Sequence, residues 1–391
     1  MRRIALLSFA LLLLPLAAHA DDIKPLAEWR QLGPGGTLET RAVMDGTACP
    51  ASMRQRAAAA ADFPLVCAAS AAAPKIDAER ILVLGDTGCR IKDTLVQACN
   101  DPVAWPFASL AAAAAKLKPD LVVHVGDYLY RESPCPAGNA GCAGTPWGNN
   151  WPTWKADFFD PAAPLLATAP WVIVRGNHED CYRSGPGFLR LLGPVAYDPN
   201  APCTDHLAPY DIPLGALNLV VMDTANAQDT SIDPSVTPVY QSEFAALANE
   251  KSPSWLLMHR PIWGAVSGPL GMPVGGNQTM IAALGGQSIP KPVELMLAGH
   301  IHVFEALNYN GMEPPAMLSG NGGDLLDTVP ANLKPTVFGS KVRVKEGLSV
   351  PGFGFFLMTK VREAWNVDLY DSTGTFTRRC IFAAGRIDCP N

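Results

Sequence analysis

No CxxC pair occurs in this sequence, and its ten cysteines are irregularly spaced, which speaks against a cysteine-ligated zinc site. Beyond the first twenty residues no apolar run approaches the roughly 20 residues that a membrane span needs. No repeat of fixed period is present. Basic charge is in deficit, with 30 Lys and Arg against 36 Asp and Glu and a net charge of −6. That balance argues against a nucleic-acid backbone as the primary partner. It leaves room for a small phosphorylated substrate, whose charge metal ions can meet locally.

Residues 1–20 begin with Arg2-Arg3, run apolar from Ile4 to Ala18 and end Ala18-His19-Ala20. A basic head, an apolar run and a small-x-small end form a signal peptide. Cleavage after Ala20 predicts an exported protein, periplasmic or secreted, without a membrane partner in its mature form. Removing Arg2 and Arg3 leaves 28 basic against 36 acidic residues, a net charge of −8. The cysteines fall into neighbouring pairs: Cys49 with Cys67, Cys89 with Cys99, Cys135 with Cys142, Cys181 with Cys203, and Cys380 with Cys389. Five local disulfides are the simplest arrangement for an oxidising compartment. Residues 21–78 read as an N-terminal lead with one or two short strands, packed on a main domain over 79–391.

From Ile81 onward short apolar runs alternate with helical stretches. The runs are 81–84, 121–125, 171–174, 217–222, 255–258 and 294–297, with helices predicted over 105–117 and 239–250. Such alternation predicts an α/β fold with a mainly parallel sheet covered on both faces. Residues 303–310, 316–319, 353–362 and 364–371 read as antiparallel strands. Long loops cover 131–153, 264–277 and 324–346, and loops of that length are usually functional or mobile.

The apolar runs end alike. Gly85-Asp86-Thr87-Gly88 follows the first, and Gly126-Asp127-Tyr128-Leu129-Tyr130 the second. Gly176-Asn177-His178-Glu179, His259-Arg260-Pro261 and Gly299-His300-Ile301-His302 follow three others. Ligands of open α/β sheets bind outside the carboxyl ends of the strands, so these groups should converge. Two Asp, one Tyr, one Asn and three His are too many ligands for one ion and suit two, with Asp127 shared. Two cations about 3.5–4 Å apart clamp the attacking and leaving oxygens of a displacement and lower the pKa of bound water. Tyr130, with a free pKa of about 10, binds as phenolate only to a strongly charged hard ion. Neutral Asn177 lowers the negative charge at the other. That asymmetry fits Fe(III) beside a divalent metal.

Together the blocks GD-x-G, GD-x-x-Y, GNHE, a lone His and GH-x-H resemble the purple acid phosphatases, within the calcineurin-like metallophosphoesterases. The motifs cover roughly 81–302. The resemblance implies a two-sheet sandwich flanked by helices, in four αββα layers with mixed sheets. It implies a phosphate monoester hydrolase of acid phosphatase type, acting by attack of a metal-activated hydroxide on phosphorus. The alternative is a phosphodiesterase or nucleotide hydrolase on the same site. By the same resemblance Asp86, Tyr130 and His302 hold Fe(III), with Asp127 bridging. Asn177, His259 and His300 hold the second ion, which is Fe, Zn or Mn. His178 is implied to be catalytic, donating to the phosphoryl oxygens or the leaving group. The sequence departs from the wider superfamily where Gly88 replaces the histidine of D-x-H. It also lacks the extra histidines that some members carry after the lone ligand His, and residues 21–78 leave no room for the added β-sandwich of the large plant enzymes.

Other residues have plainer readings beside functional ones. His124, inside a strand, reads as a satisfied core histidine or an outer partner of the site, and His206 as a surface residue. The spacing of the family that the motifs resemble favours Tyr130 over Tyr128 as the ligand. Arg131, Arg175, Arg183 and Arg260 flank the motifs. Each can pair with a neighbour such as Glu132, Glu179 or Asp180, but one is expected to bind substrate, Arg260 first. Trp147, Trp151 and Trp263 either stack on a leaving group or pack the loops. Residues 319–323 border the site or make a turn, and Asn277-Gln278-Thr279 matches the N-glycosylation pattern.

Overall fold

The computed structural model describes residues 24–71, 78–250, 253–334, 336–339 and 341–390. The expected signal segment, with its cleavage after Ala20, lies outside the described residues. Two sheets stack face to face, one of eleven strands and one of eight. Parallel strands form the middle of each. In the larger sheet Arg80–Leu84, Leu121–His124 and Trp171–Ile173 run side by side. In the smaller, Leu217–Val221, Ser254–Leu257, Val293–Ala298 and Ala316–Ser319 do the same.

Side-chain alternation explains the stacking. Ile81, Val83, Leu121 and Val123 point into the space between the sheets, where they meet Leu219, Trp255, Leu257, Leu295 and Leu297. Leu82, Leu84 and Val122 point the other way, against Leu110 and Ala114 of helix Phe107–Lys116 and Leu165 of helix Asp160–Leu166. On the far side Leu256, Met258 and Met296 pack against Tyr240 and Phe244 of helix Thr237–Ala246 and Met280 of helix Gln278–Leu284. Strands buried on both faces read as continuous apolar runs, and these do. The result is a four-layer αββα sandwich.

Antiparallel strands complete both sheets. Gly354–Val361 pairs with Arg80–Leu84, followed by Ala364–Asp371 and Phe376–Ala383. At the opposite edge the N-terminal region differs from expectation. It supplies four strands, Ala27–Leu32, Leu38–Met44, Arg54–Ala57 and Leu65–Ala71, that extend the larger sheet. Buried Arg41 and Arg56 interrupt the apolar alternation that would mark these strands. They lie within a strand's apolar pattern, because Glu39 neutralises them and the carbonyls of Leu191 and Gly193 accept from them.

All five expected disulfides are present. Three of them, Cys89–Cys99, Cys135–Cys142 and Cys181–Cys203, close the loops that follow the first three motifs. Cross-linking such loops removes conformations from the unfolded chain. No helix among the described residues is long and apolar enough to cross a membrane.

Candidate metal centre

The parallel strands of the two sheets end at one common rim. There the Asp86 N–H donates to the Gly126 carbonyl at 2.9 Å, and the Gly299 N–H to that of His259 at 3.0 Å. Across the sheets, the His300 N–H donates to Asp86 Oδ2 at 2.9 Å. The rim turns are sharp. Asp86, Asp127 and His300 take φ angles of 57°, 59° and 71°, a region that costs non-glycine residues energy. Gly126, at φ 103°, has no room for a side chain: a Cβ there would lie 2.4 Å from His259 Nδ1.

All seven residues with metal-binding chemistry converge. Tyr130 Oη lies 3.0 Å from Asp86 Oδ1, 2.8 Å from Asp127 Oδ2 and 3.2 Å from His302 Nε2. His259 Nε2 lies 3.1 Å from Asp127 Oδ2 and 3.0 Å from Asn177 Oδ1. Donor atoms of Asp127, His259 and His300 fall within 4.8 Å of one another. Asp127 thus sits between two groups, Asp86, Tyr130 and His302 on one side and Asn177, His259 and His300 on the other. Tyr128 turns away: its hydroxyl donates to the Val174 carbonyl at 2.9 Å and its ring stacks on His124. His124 is a satisfied core residue, with Nε2 2.9 Å from Thr87 Oγ1. His206 is half-buried and paired with Glu243 at 2.7 Å.

The electrostatics of the cluster ask for a cation. Burial lowers His259 and His302, yet Asp127 and Asp86 lift His259 to about 9, and Asp324 and Asp86 lift His302 to about 10. Burial also opposes ionisation of Asp127, but His259 and His178 outweigh it and hold the carboxyl well below its usual range. Tyr130 is pushed well above the ordinary phenol value by burial and by the charges of Asp127 and Asp86. A phenolate forms here only against a strong positive charge. Two histidines are already oriented for one: Nδ1 of His259 faces the Val125 carbonyl at 2.8 Å and Nδ1 of His302 that of Leu325 at 2.6 Å. Each leaves Nε2 toward the cluster, an outer-partner arrangement usual for metal-binding histidines. The residues present therefore fit a pair of ions.

Gly88 and Tyr130 are coupled sterically. A Cβ at position 88 would lie 2.8 Å from Tyr130 Cδ2 and 2.7 Å from the Tyr128 carbonyl. The tyrosine ring fills the space that a histidine at 88 would need.

His178 leans on the Tyr130 ring with centroids 4.0 Å apart. Its Nδ1 contacts the Glu132 carboxylate, and its Nε2 faces the centre, 3.9 Å from Asp127 Oδ2. Glu132 is steadied by Lys92 at 3.2 Å and Arg183 at 3.4 Å. Sequence reading offered Glu132 only as a partner for arginine. The four flanking arginines are all paired: Arg131 with Asp157, Arg175 with Asp223, Arg183 with Asp180, and Arg260 with Asp229. The Arg260 guanidinium is thereby held on Asp229, with Nη1 3.4 Å from His300 Nε2.

Several contributors carry no sequence signal. Asp157 accepts from the N–H groups of Cys89 and Tyr130 at 2.9 and 2.8 Å, joining the first two motif loops. Arg90 lies over the Tyr130 ring, 4.7 Å from its centroid, and pairs with Asp324. Glu179, inside GNHE, receives the N–H groups of Tyr128 at 2.9 Å and Gly176 at 3.1 Å. The turn at 319–323 does border the site: Gly322 N–H donates to the Gly85 carbonyl and Asp324 N–H to that of Asp86. Trp151 and Trp263 are buried packing residues, and Trp147 is half exposed. Asn277 is buried as the N-cap of helix Gln278–Leu284, accepting from the Met280 N–H, so its acceptor pattern is not available to a glycan.

The calcineurin-like phosphoesterase family matches residues 79–304, more than half of the chain. A purple acid phosphatase from seeds of yellow lupin (Lupinus luteus) superposes with a TM-score of 0.52 over 92% of this chain and 74% of its own, at 13% identity. GAP50, the anchor in the inner membrane complex of Plasmodium, gives a TM-score of 0.46 at 14% identity, over 80% of this chain and 89% of its own. At such identities the likeness is one of fold. No curated protein matches the chain by sequence.

Proposed function

We propose that this chain, which belongs to the calcineurin-like phosphoesterase family, is an exported hydrolase of phosphate monoesters with an iron-tyrosinate centre. The observation that carries the reading is Tyr130: its hydroxyl lies within 3.2 Å of Asp86, Asp127 and His302, where a histidine at position 88 has no space. Asp86, Tyr130 and His302 would hold Fe(III). Asn177, His259 and His300 would hold a divalent Fe, Zn or Mn, with Asp127 shared. Such a pair, when bound, activates water and neutralises phosphoryl oxygens.

The chain's own groups complete the chemistry. Glu132 fixes the His178 tautomer with the proton on Nδ1, so Nε2 meets the substrate. A protonated Nε2 can donate to a phosphoryl oxygen or the departing alkoxide, the role of a general acid. Tyr130 and Asp127 wall one side of that imidazole. Export is supported by residues 1–20 and by five disulfides, which persist in oxidising compartments.

A phosphodiesterase reading draws on one observation. Cavities of about 610 Å³ beside Glu132 and Arg183 and about 580 Å³ beside His300 and Asp229 flank the centre, giving room for a second ester arm. Rates on an aryl phosphate and on its diester separate the two, and a faster diester rejects the monoesterase. Elemental analysis with a visible spectrum tests the iron: a colourless, fully loaded, active protein rejects the tyrosinate.

A further inference from the structure

The three candidate histidine ligands are not held alike. His259 and His302 rest on main-chain carbonyls through Nδ1 and offer Nε2. His300 is reversed. Its Nε2 lies 2.9 Å from Asp229 Oδ2, which leaves Nδ1 as the nitrogen free for a cation. Asp229 itself is built in. Its Oδ1 accepts from Asn277 Nδ2 at 2.9 Å, and Arg260 pairs with Oδ2. Asn277 is in turn fixed as the cap of helix Gln278–Leu284. The Asp229 side chain is one-third exposed and lines the cavity beside His300, so this support faces solvent.

We propose that Asp229 is a positioning residue that sets the affinity of the centre for the ion on the His259–His300 side. It takes the Nε2–H of His300, fixes that tautomer and raises the basicity of Nδ1. Arg260 and Asn277 keep the carboxylate in place, which gives Arg260 a task in the site other than direct contact with substrate. The inference rests on the two-ion reading above, and it assigns the lability of one ion to a solvent-facing side chain, whereas His259 is held by main chain and His302 by main chain with the buried Asp324 carboxylate 3.5 Å from Nδ1.

The test compares wild type, Asp229→Ala and Asp229→Asn as full mature chains, dialysed against a competing chelator, with metal content and zinc affinity measured. Loss of a carboxylate partner of this kind typically weakens binding about 10- to 100-fold. Asp229→Ala should therefore keep one ion per chain and lose the other, and excess zinc should restore both the second ion and turnover. Asp229→Asn has the same shape and still offers an oxygen to Nε2–H, so it should fall between the two, even if the alanine variant does not fold. Two ions held by both variants with wild-type affinity overturn the proposal, as does simultaneous loss of both ions from the folded asparagine variant. A wild-type protein that binds fewer than two ions overturns the two-ion reading itself, and the proposal with it.

Discussion

The two sides of the metal centre are supported differently. Asp86 and Tyr130 are fully buried, and His302 is nearly so. Around them Asp324 meets Arg90 and the Asp86 carbonyl, and main chain holds the imidazole. Across Asp127, His300 borders an open cavity and depends on Asp229. A closed, main-chain-braced cradle suits an ion that stays, whereas an open one with side-chain support suits an ion that exchanges. The asymmetry of candidate donors, a phenol on one side against an amide on the other, is thus matched by an asymmetry of enclosure.

The change with the largest expected effect removes the shared group. Asp127→Ala should lower turnover about 10³-fold or more, since several kcal/mol of charge stabilisation go with both ions, at about 1.4 kcal/mol per tenfold. It should also empty both sides, so retained turnover or two bound ions in this variant breaks the comparison at its root. Metal removal comes next. Short treatment with a divalent chelator should cut the rate to a few per cent, about 10- to 100-fold, while the visible band persists. A band that fades in step with activity shows both cradles to be equally open. Tyr130→Phe should bleach the colour and leave one divalent ion on the His300 side, which elemental analysis measures. The smallest effect belongs to Arg90. A cation over an aromatic ring contributes about 0.5–2 kcal/mol, so Arg90→Gln should move the charge-transfer band to lower energy by a shift of that order. An unmoved band denies Arg90 any hold on the phenolate.

Each candidate ligand was legible because it stands where a local pattern points. A buried parallel strand is an apolar run, its end is a glycine or a sharp turn, and the next polar residue lies on the rim. Asp86, Asp127, Asn177, His259 and His300 all obey that rule. Tyr130 is marked by the GD-x-x-Y spacing rather than by periodicity, since residues 127–130 form no strand and Tyr128 turns onto the Val174 carbonyl. The five disulfides were legible from neighbouring pairs in sequence. The four N-terminal strands were less so, because buried Arg41 and Arg56 disguise an apolar pattern, and the carbonyls of Leu191 and Gly193 that accept from them come from a distant segment. Arg260 illustrates the same limit. Adjacency to His259 suggests a substrate contact, and it gives no sign of the acid that holds the guanidinium, which arrives from a loop 31 positions away.

By itself the sequence determined the central parallel strands, the rim and the set of candidate donors, because strand ends and donor types are written within a few residues of one another. Only the tertiary structure decided what stands behind those donors. Asp229, Asp324, Glu132 and Arg90 act through contacts between loops that carry no periodic pattern, and such contacts exist only once two sheets have stacked and brought their edges together.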